Sequence, residues 1–334
     1  MNTRIEYLDS LKAFAIFCVV LGHSIQCFDK TGVMNEVYSV IYSFHMPLFM
    51  VISGFFISKL FAMRIDRVVM QKSRQLLLPV VTFSVLAYII SIATPIDFVG
   101  DSTYIEYVFG GKMWFLKYLF ACIIFACLSK LLFRNTLLAA LLPAIVMISV
   151  SRVGLVRIYP FLWLGFCFNH YKDVIYKHAK TVLWASFAVF VILLCFWDLE
   201  YDYPLYRWIT ISHGVSFDWF SFCVVTYRFL VGASGSLFFI VLFKLFSQMK
   251  PCCFSKITSK IGKRTLGIYC FQIYLLEDLS DYFPALPFDG VALVVCIISI
   301  AVLELALCAS LTALLEKNKY TALFFLGHKS LFKK

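Results

Sequence analysis

Long apolar stretches recur along this chain from one end to the other, and they constrain its fold more than any other feature. Of the 334 residues, 62% are hydrophobic and only 15% are charged, whereas about a quarter of the residues of a soluble domain carry charge. A membrane-spanning helix needs about 20 mainly apolar residues. A membrane β-barrel would instead show short segments in which apolar and polar residues alternate. The sequence therefore predicts an all-α, polytopic integral membrane protein.

About ten transmembrane helices can be placed on these stretches. The segments between them are short and the sequence contains no internal repeat, so we predict a single transmembrane domain over residues 1–334 with no fused soluble domain. The predicted spans are 11–28, 36–58, 75–94, 113–133, 135–151, 155–171, 181–197, 219–247, 264–281 and 288–315.

The basic residues orient these helices. With the amino terminus inside, ten spans place 23 of the 30 lysines and arginines in cytoplasmic segments, and cytoplasmic loops are the ones expected to be basic. Both termini are therefore predicted to be cytoplasmic. The net charge of +11 reflects this topology and contact with the lipid bilayer, and it is poor evidence for a nucleic-acid partner. The basic residues left outside, or within a helix, are Lys30, Lys112, Lys117, Arg152, Arg157, Arg207 and Arg228.

The twelve cysteines are scattered, mostly within the predicted spans, and form no Cys-x-x-Cys pair. Buried free cysteine usually behaves as a small hydrophobic residue. We therefore expect neither a disulfide framework nor a metal site, and no bound cofactor.

Two histidines lie inside the first two spans, where polar groups are costly and usually line a site or find a partner. His23 follows Lys12 by eleven residues, which places both on one helix face, about 20° apart, with His23 roughly 16 Å deeper. Asp9 shares that face. His45 lies about 10 Å below the outer end of the second span, beside Pro47, so both imidazoles reach the middle of the bilayer. Gly54 permits close helix packing.

Geometry alone leaves two interpretations of this pair. The histidines could be hydrogen-bonded across two helices in a purely structural role. Alternatively, they form a proton-transfer site, because an imidazole titrates near pH 6.5 and can take a proton from a hydroxyl at neutral pH.

The frames around the two histidines resemble the membrane-bound acyltransferase-3 family. The matching pieces are Asp9-x-x-Lys12 followed by ten residues and His23, and Phe44-His45-Met46-Pro47-Leu48-Phe49 followed by Ser53-Gly54-Phe55. Weaker matches follow in the same order: Arg74 to Pro79, Met113 to Leu116, and Leu266 to Gln272. The resemblance covers most of the chain. It implies an O-acyltransferase of sugars in surface polysaccharides, their lipid-linked precursors or related glycans, in the bacterial cytoplasmic (inner) membrane.

The resemblance makes His23 the expected catalytic residue, either as the base that deprotonates an acceptor hydroxyl or as a transient acyl carrier. His45 would orient the substrate or assist proton transfer. The expected donor substrate is cytoplasmic acetyl-CoA or another acyl-CoA. Lys12, Lys72 and Arg74 lie at the cytoplasmic mouth, where they could bind its phosphates, although interfacial anchoring also explains Arg74 and is favoured for Lys72.

Further residues are expected to support the site. Asp9 can pair with Lys12 at helical spacing, Trp114 lies where an interfacial aromatic belt is expected, and Tyr269 belongs to the weaker motifs. Two departures from the family matter. Lys12 replaces the commoner arginine, so a bidentate contact is lost. Gln272 replaces a common histidine, and it can position a group but cannot relay a proton at neutral pH.

Arg228 and Glu304 are charged residues within predicted spans, and a single charge at mid-helix costs about 2.5–3.5 kcal/mol on insertion scales. They could neutralise each other, or Arg228 could face the cavity of the acceptor. The competing hypothesis for the whole chain is a transporter or flippase of glycan precursors or small molecules. The absence of a repeat and the histidine frames favour the enzyme, with further proteins of polysaccharide biosynthesis as candidate partners.

Overall fold

The computed structural model describes residues 5–95, 98, 103–109, 112–133, 135–136, 138–141, 155–198, 209–210, 216–248, 253–278 and 286–328. Nearly all of these residues are helical, which confirms the all-α prediction. The helices are α1 (Glu6–Phe28), α2 (Asn35–Phe55), α3 (Ser58–Phe61), α4 (Ile65–Lys72), α5 (Leu78–Ala93), α6 (Tyr104–Phe109), α7 (Trp114–Leu132), α8 (Leu155–Lys177), α9 (Ala179–Leu194), α10 (Trp219–Phe246), α11 (Cys253–Gly262), α12 (Thr265–Gln272), α13 (Gly290–Leu315) and α14 (Lys319–Leu326).

Within the described residues, six continuous helical stretches are long and apolar enough to cross a membrane: α1, α2, the run Ile65–Ala93, α7, α10 and α13. Each lies on a predicted span. The chain bends by 115° between α8 and α9, where two separate spans are predicted, and Thr265–Leu276 is a shorter apolar helix. The predicted span 135–151 lies mostly outside the described residues, so the count of ten and the side of each terminus stay predictions.

Two π-helical segments interrupt the α-helical pattern, at Ser73–Leu77 and Ile273–Asp278. The first joins α4 to α5 and the second continues α12. Such segments widen the backbone ladder and recur at functional sites. A two-residue antiparallel ladder also pairs Ile209–Thr210 with Ser216–Phe217 in the predicted outer loop. The apolar spacing of the sequence signals none of these three features.

Helices α1 and α2, which carry the two histidines, are packed side by side. The turn between them is fixed by Asp29, whose carboxylate accepts hydrogen bonds from the backbone of Gly32 at 2.9 Å and of Met34 at 2.7 Å. Partial burial opposes ionisation of Asp29, but the hydrogen bonds from Met34, Thr31 and Gly32 outweigh it and hold the pKa of this carboxyl below its usual value. The short turn therefore sets the register of one histidine-bearing helix against the other.

Glycines bring α2 and α8 into backbone contact on the other side of α2. A Cβ added at Gly54 would lie 1.9 Å from the carbonyl oxygen of Leu162, and one added at Gly165 would lie 2.0 Å from that of Val51. This crossing confirms the close packing expected of Gly54, because small residues let helix backbones approach in a membrane.

Candidate active site

His23 lies on α1 next to a residue that contacts α2. A Cβ at the preceding residue, Gly22, would lie only 3.0 Å from the ring of Tyr42 on α2. The His23 side chain is partly exposed and interacts with the side chain of Gln26, three residues further along the same helix. The first histidine therefore lies beside the contact between the two helices.

His45 is buried, with 5% of its surface exposed, and its hydrogen bond defines its tautomer. Its Nδ1 lies 2.7 Å from the carbonyl oxygen of Ile41. Because a carbonyl can only accept, we assign the proton of the neutral ring to Nδ1. The Nε2 atom then carries the free lone pair and is the position at which His45 can take up a proton.

The two histidines belong to one cluster. They are close enough to interact electrostatically, and Tyr42 connects their surroundings. The Tyr42 hydroxyl donates a hydrogen bond to Oε1 of Gln26 at 3.4 Å, and its ring packs edge-on against His45 with centroids 4.8 Å apart. This histidine cluster, His23, Gln26, Tyr42 and His45, can hold two imidazoles in a fixed relation next to a substrate.

Sequence reasoning missed Gln26 and Tyr42, although helical spacing could have found them. Gln26 follows His23 by three residues and Tyr42 precedes His45 by three, so each shares a helix face with its histidine.

Asp9 and Lys12 form the ion pair that their spacing predicts, with 3.6 Å between the carboxylate and Nζ of Lys12. Lys12 Nζ also lies 5.6 Å from the ring centroid of Phe56, at the end of α2. Gly262 packs its Cα against the backbone of Asp9, where a Cβ would come within 1.7 Å of the carbonyl oxygen. The predicted donor-side end of α1 is thus anchored to both α2 and α11.

Lys72 and Arg74 lie where α4 passes into the first π-helical segment, which packs on α7. Lys72 Nζ donates to Oε1 of Gln75 at 3.0 Å. Arg74 is partly buried, and its Nε has no hydrogen-bond partner among the described residues. A Cβ at Gly327, which ends α14 with a φ of +64°, would lie 2.5 Å from the carbonyl oxygen of Arg74. The carboxy-terminal helix therefore packs directly on this segment, and the role of both basic residues in donor binding stays a prediction.

Gln272 is fully buried on α12, and neither Oε1 nor Nε2 of its amide has a hydrogen-bond partner among the described residues. Its height in the bundle follows from a contact between α1 and the second π-helical segment, where Cys27 Sγ lies 3.8 Å from the carbonyl oxygen of Leu276. Gln272 precedes Leu276 by four residues and His23 precedes Cys27 by four residues, which is about 6 Å along each helix. The two helices run in the same direction, because Asp9 near the start of α1 contacts Gly262 just before α12. The amide therefore lies at about the depth of His23.

Tyr269 and Trp114 are joined through Phe115. The ring of Phe115 lies 6.0 Å from that of Tyr269 and 6.1 Å from that of Trp114. Trp114 is 38% exposed, and its place in an interfacial aromatic belt stays a prediction. These contacts link α12 to α7 beside the buried amide of Gln272.

Glu304 on α13 is contacted by the Cys308 thiol, with 3.5 Å between Sγ and Oε1. Arg228 is partly buried on α10. Arg228 and Glu304, both described, do not form an ion pair with each other, although their positions in the sequence allowed one.

Comparison with known proteins identifies the family of the chain. The acyltransferase-3 family profile, described as an acyltransferase domain, matches residues 5–311. The chain belongs to this acyltransferase family. The match begins before Asp9 and includes every predicted site residue, and it decides between the two sequence hypotheses in favour of a membrane O-acyltransferase over a transporter.

Two relatives carry the same printed name. The acyltransferase is 28% identical over 310 residues to nodulation protein NolL of Sinorhizobium fredii (strain NBRC 101917 / NGR234), covering 84% of this chain and 81% of that protein. It is 28% identical over 206 residues to nodulation protein NolL of Mesorhizobium japonicum (strain LMG 29417 / CECT 9101 / MAFF 303099), covering 58% and 54%. No solved structure matches the acyltransferase.

Proposed function

We propose that this membrane acyltransferase moves an acetyl group from cytoplasmic acetyl-CoA to a hydroxyl of a sugar in a surface polysaccharide or its lipid-linked precursor, in the bacterial inner membrane. The observation that carries the proposal is the histidine cluster. Two imidazoles on adjacent helices interact electrostatically, and the carbonyl oxygen of Ile41 lies 2.7 Å from Nδ1 of His45 and so places the proton of that ring there. Such a pair suits transfer of a proton from a hydroxyl.

In the proposed reaction His23 takes the proton of the acceptor hydroxyl while the oxygen attacks the carbonyl carbon of the thioester. A C–O bond forms, the C–S bond breaks, and the proton passes from the imidazole to the departing thiolate of CoA. His45 assists through Nε2, the atom left free to accept. The alternative route, in which His23 carries the acetyl group briefly, needs the same residue in a nucleophilic role.

The test measures acetyl transfer from radiolabelled acetyl-CoA by purified protein with a glycan acceptor. We expect His23→Ala to reduce the rate by about 10²–10⁴-fold, the usual contribution of general acid–base catalysis. Full transfer by a folded His23→Ala variant would contradict the assignment, and loss of folding would favour the structural interpretation of the pair. Label retained on the protein without acceptor would indicate the acyl-carrier route.

Substitutions of His45 separate its two roles. An asparagine amide can still donate to the carbonyl of Ile41 in place of Nδ1 but has no counterpart of Nε2. We therefore expect His45→Asn to keep the thermal stability of the wild type and to lose transfer. If His45→Asn transfers normally and His45→Ala does not, the Ile41 hydrogen bond alone explains the residue.

A further inference from the structure

A continuous row of aromatic rings crosses the end of the helix bundle that the charge pattern places on the cytoplasmic side. Successive ring centroids are 5.1, 6.0, 5.9 and 6.3 Å apart. The last two rings are also joined by a hydrogen bond between their hydroxyls. This aromatic row consists of Phe56, Phe55, Phe168, Tyr176 and Tyr7.

Lysines from four separate helical segments lie over the row. Each Nζ is 5.4–6.0 Å from a ring centroid, within the range of cation–π attraction. The set, here called the lysine cluster, comprises Lys12 and Lys59 over Phe56, Lys172 over Phe55, and Lys244 over both Tyr7 and Tyr176.

Among the described residues that contact this row, positive charge exceeds negative charge. Asp9 pairs with Lys12, and Asp173 interacts electrostatically with Tyr176, while Lys59 is exposed and Lys172 and Lys244 are partly exposed. Like charges brought together raise the local potential and attract an anion. The rings hold the ammonium groups in place, so an anion with several charges can contact more than one of them.

The distance from this cluster to the histidines narrows the class of anion. Lys12 and His23 share a face of α1 and lie about 16 Å apart along its axis. A ligand that occupies both positions needs its phosphates at one end and its reactive carbonyl at the end of a long, thin arm. A nucleotide thioester has this construction, since the pantetheine arm separates its phosphates from its acyl group.

We propose that Lys12, Lys59, Lys172 and Lys244 form the surface that binds the phosphates of the acyl-CoA donor. This inference rests on the proposed function and assigns to the donor three lysines that the sequence did not indicate. Phosphate headgroups of anionic lipids offer the same chemistry. The donor is favoured because Lys12 belongs to the cluster and faces along α1 toward His23.

The experiment measures CoA binding calorimetrically, using the full-length protein in phosphatidylcholine nanodiscs. We expect Lys59→Gln, Lys172→Gln and Lys244→Gln each to raise the Kd for CoA about fivefold, as for loss of one charge–phosphate contact, and to weaken its dependence on salt. For dephospho-CoA, which lacks one phosphate, the Kd should differ less between the wild type and the variants. The matched control is Lys319→Gln, because Lys319 also lies over a ring, 5.0 Å from that of Tyr320 on α14, but outside the cluster.

Each outcome supports or overturns the inference. Wild-type CoA affinity in all three folded variants, with transfer intact, overturns it and leaves the proposed function standing. In a second set of nanodiscs that also contain phosphatidylglycerol, weaker binding of this lipid by the variants, with unchanged CoA affinity, assigns the lysines to lipid and also overturns the inference. If the wild type neither binds CoA nor transfers acetyl, the proposed function is wrong, and the inference that rests on it is overturned as well. If Lys244→Gln fails to fold, the exposed Lys59 carries the test.

Discussion

A neutral imidazole has one N–H to donate, and in His45 the carbonyl of Ile41 accepts it from Nδ1. At the residue scale this bond turns a buried histidine into a base with a defined accepting atom. A ring that rotates freely must be oriented during the reaction, whereas the His45 ring is oriented beforehand. Orienting a catalytic group in advance lowers the activation barrier. His23 is the more accessible of the two and is linked to the same cluster through Gln26.

Tyr42 connects the two histidines through its hydroxyl and its ring, and Tyr42→Phe separates these contributions. The ring contact with His45 remains, while the hydrogen bond to Gln26 is lost. A hydrogen bond contributes about 1 kcal/mol, so we expect transfer to fall about three- to tenfold, mainly in kcat and with a shifted pH profile. Steady-state kinetics across pH measures both.

The matched control is Tyr88→Phe, because Tyr88 also packs edge-on against an aromatic ring, that of Tyr104, but lies outside the histidine cluster. An unchanged kcat and pH profile in Tyr42→Phe would show that the ring alone matters.

Substitution of the buried Gln272 should change stability and activity in opposite directions. A buried amide without partners costs about 1–3 kcal/mol, so Gln272→Met, which has similar length and no polar amide, should raise the free energy of unfolding by about that amount. The same change should slow transfer if the amide binds the substrate. Thermal unfolding and transfer assays on one preparation measure the two effects, with the exposed Gln248→Met as control. A destabilised Gln272→Met variant would contradict this explanation of the amide.

Sequence patterns located the histidines but did not describe their surroundings. The frames around His23 and His45 were visible because charged and polar groups stand out in apolar runs. The roles of Gln26 and Tyr42 depend on how α1 rotates against α2, which the Asp29 turn and the contact at Gly22 determine. The lysine cluster was hidden for the same reason, because its members are distant in sequence and only packing brings them to one aromatic row.

At the scale of elements, α2 and α8 cross in backbone contact near the site. We expect Gly54→Ala to lower the free energy of unfolding by about 3 kcal/mol, because its Cβ would overlap the backbone of Leu162, which cannot move aside as a side chain can. Gly22→Ala should cost less, since its Cβ meets a tyrosine ring instead. Thermal unfolding monitored by tryptophan fluorescence ranks the two. Equal stability of Gly54→Ala and wild type would mean that the two backbones are not in contact.

The lengths of most elements followed from the sequence, because the extent of an apolar run sets the extent of a spanning helix. The run Ile65–Ala93 is longer than the predicted span 75–94 because polar helix α4 joins it through the first π-helical segment. The break near Lys172 and Lys177 was expected as a loop, but the chain turns between α8 and α9 at the single residue His178. The geometry of such junctions depends on packing and cannot be predicted from hydropathy.

At the scale of the whole molecule, the predicted orientation in the membrane rests on the basic residues of the cytoplasmic segments. Ten spans predict that a green fluorescent protein fused after Lys334 fluoresces and that alkaline phosphatase fused there is inactive. Alkaline phosphatase fused within 198–218 should be active, because this segment is predicted to lie outside. The reverse result at either position would require a different number of spans.

The neighbours of α1 also bear on how the protein is made. This first helix packs against α2, but also against α10, α11, α12 and α13, all of which follow residue 218. A chain emerging from the ribosome therefore delivers His23 to the membrane long before most of its surroundings exist. Until the last third has been translated, α1 must wait in lipid or beside the insertion machinery with its polar face uncovered. Premature termination anywhere before α10 should thus yield an inserted polypeptide in which α1 is beside α2 but lacks its other native neighbours.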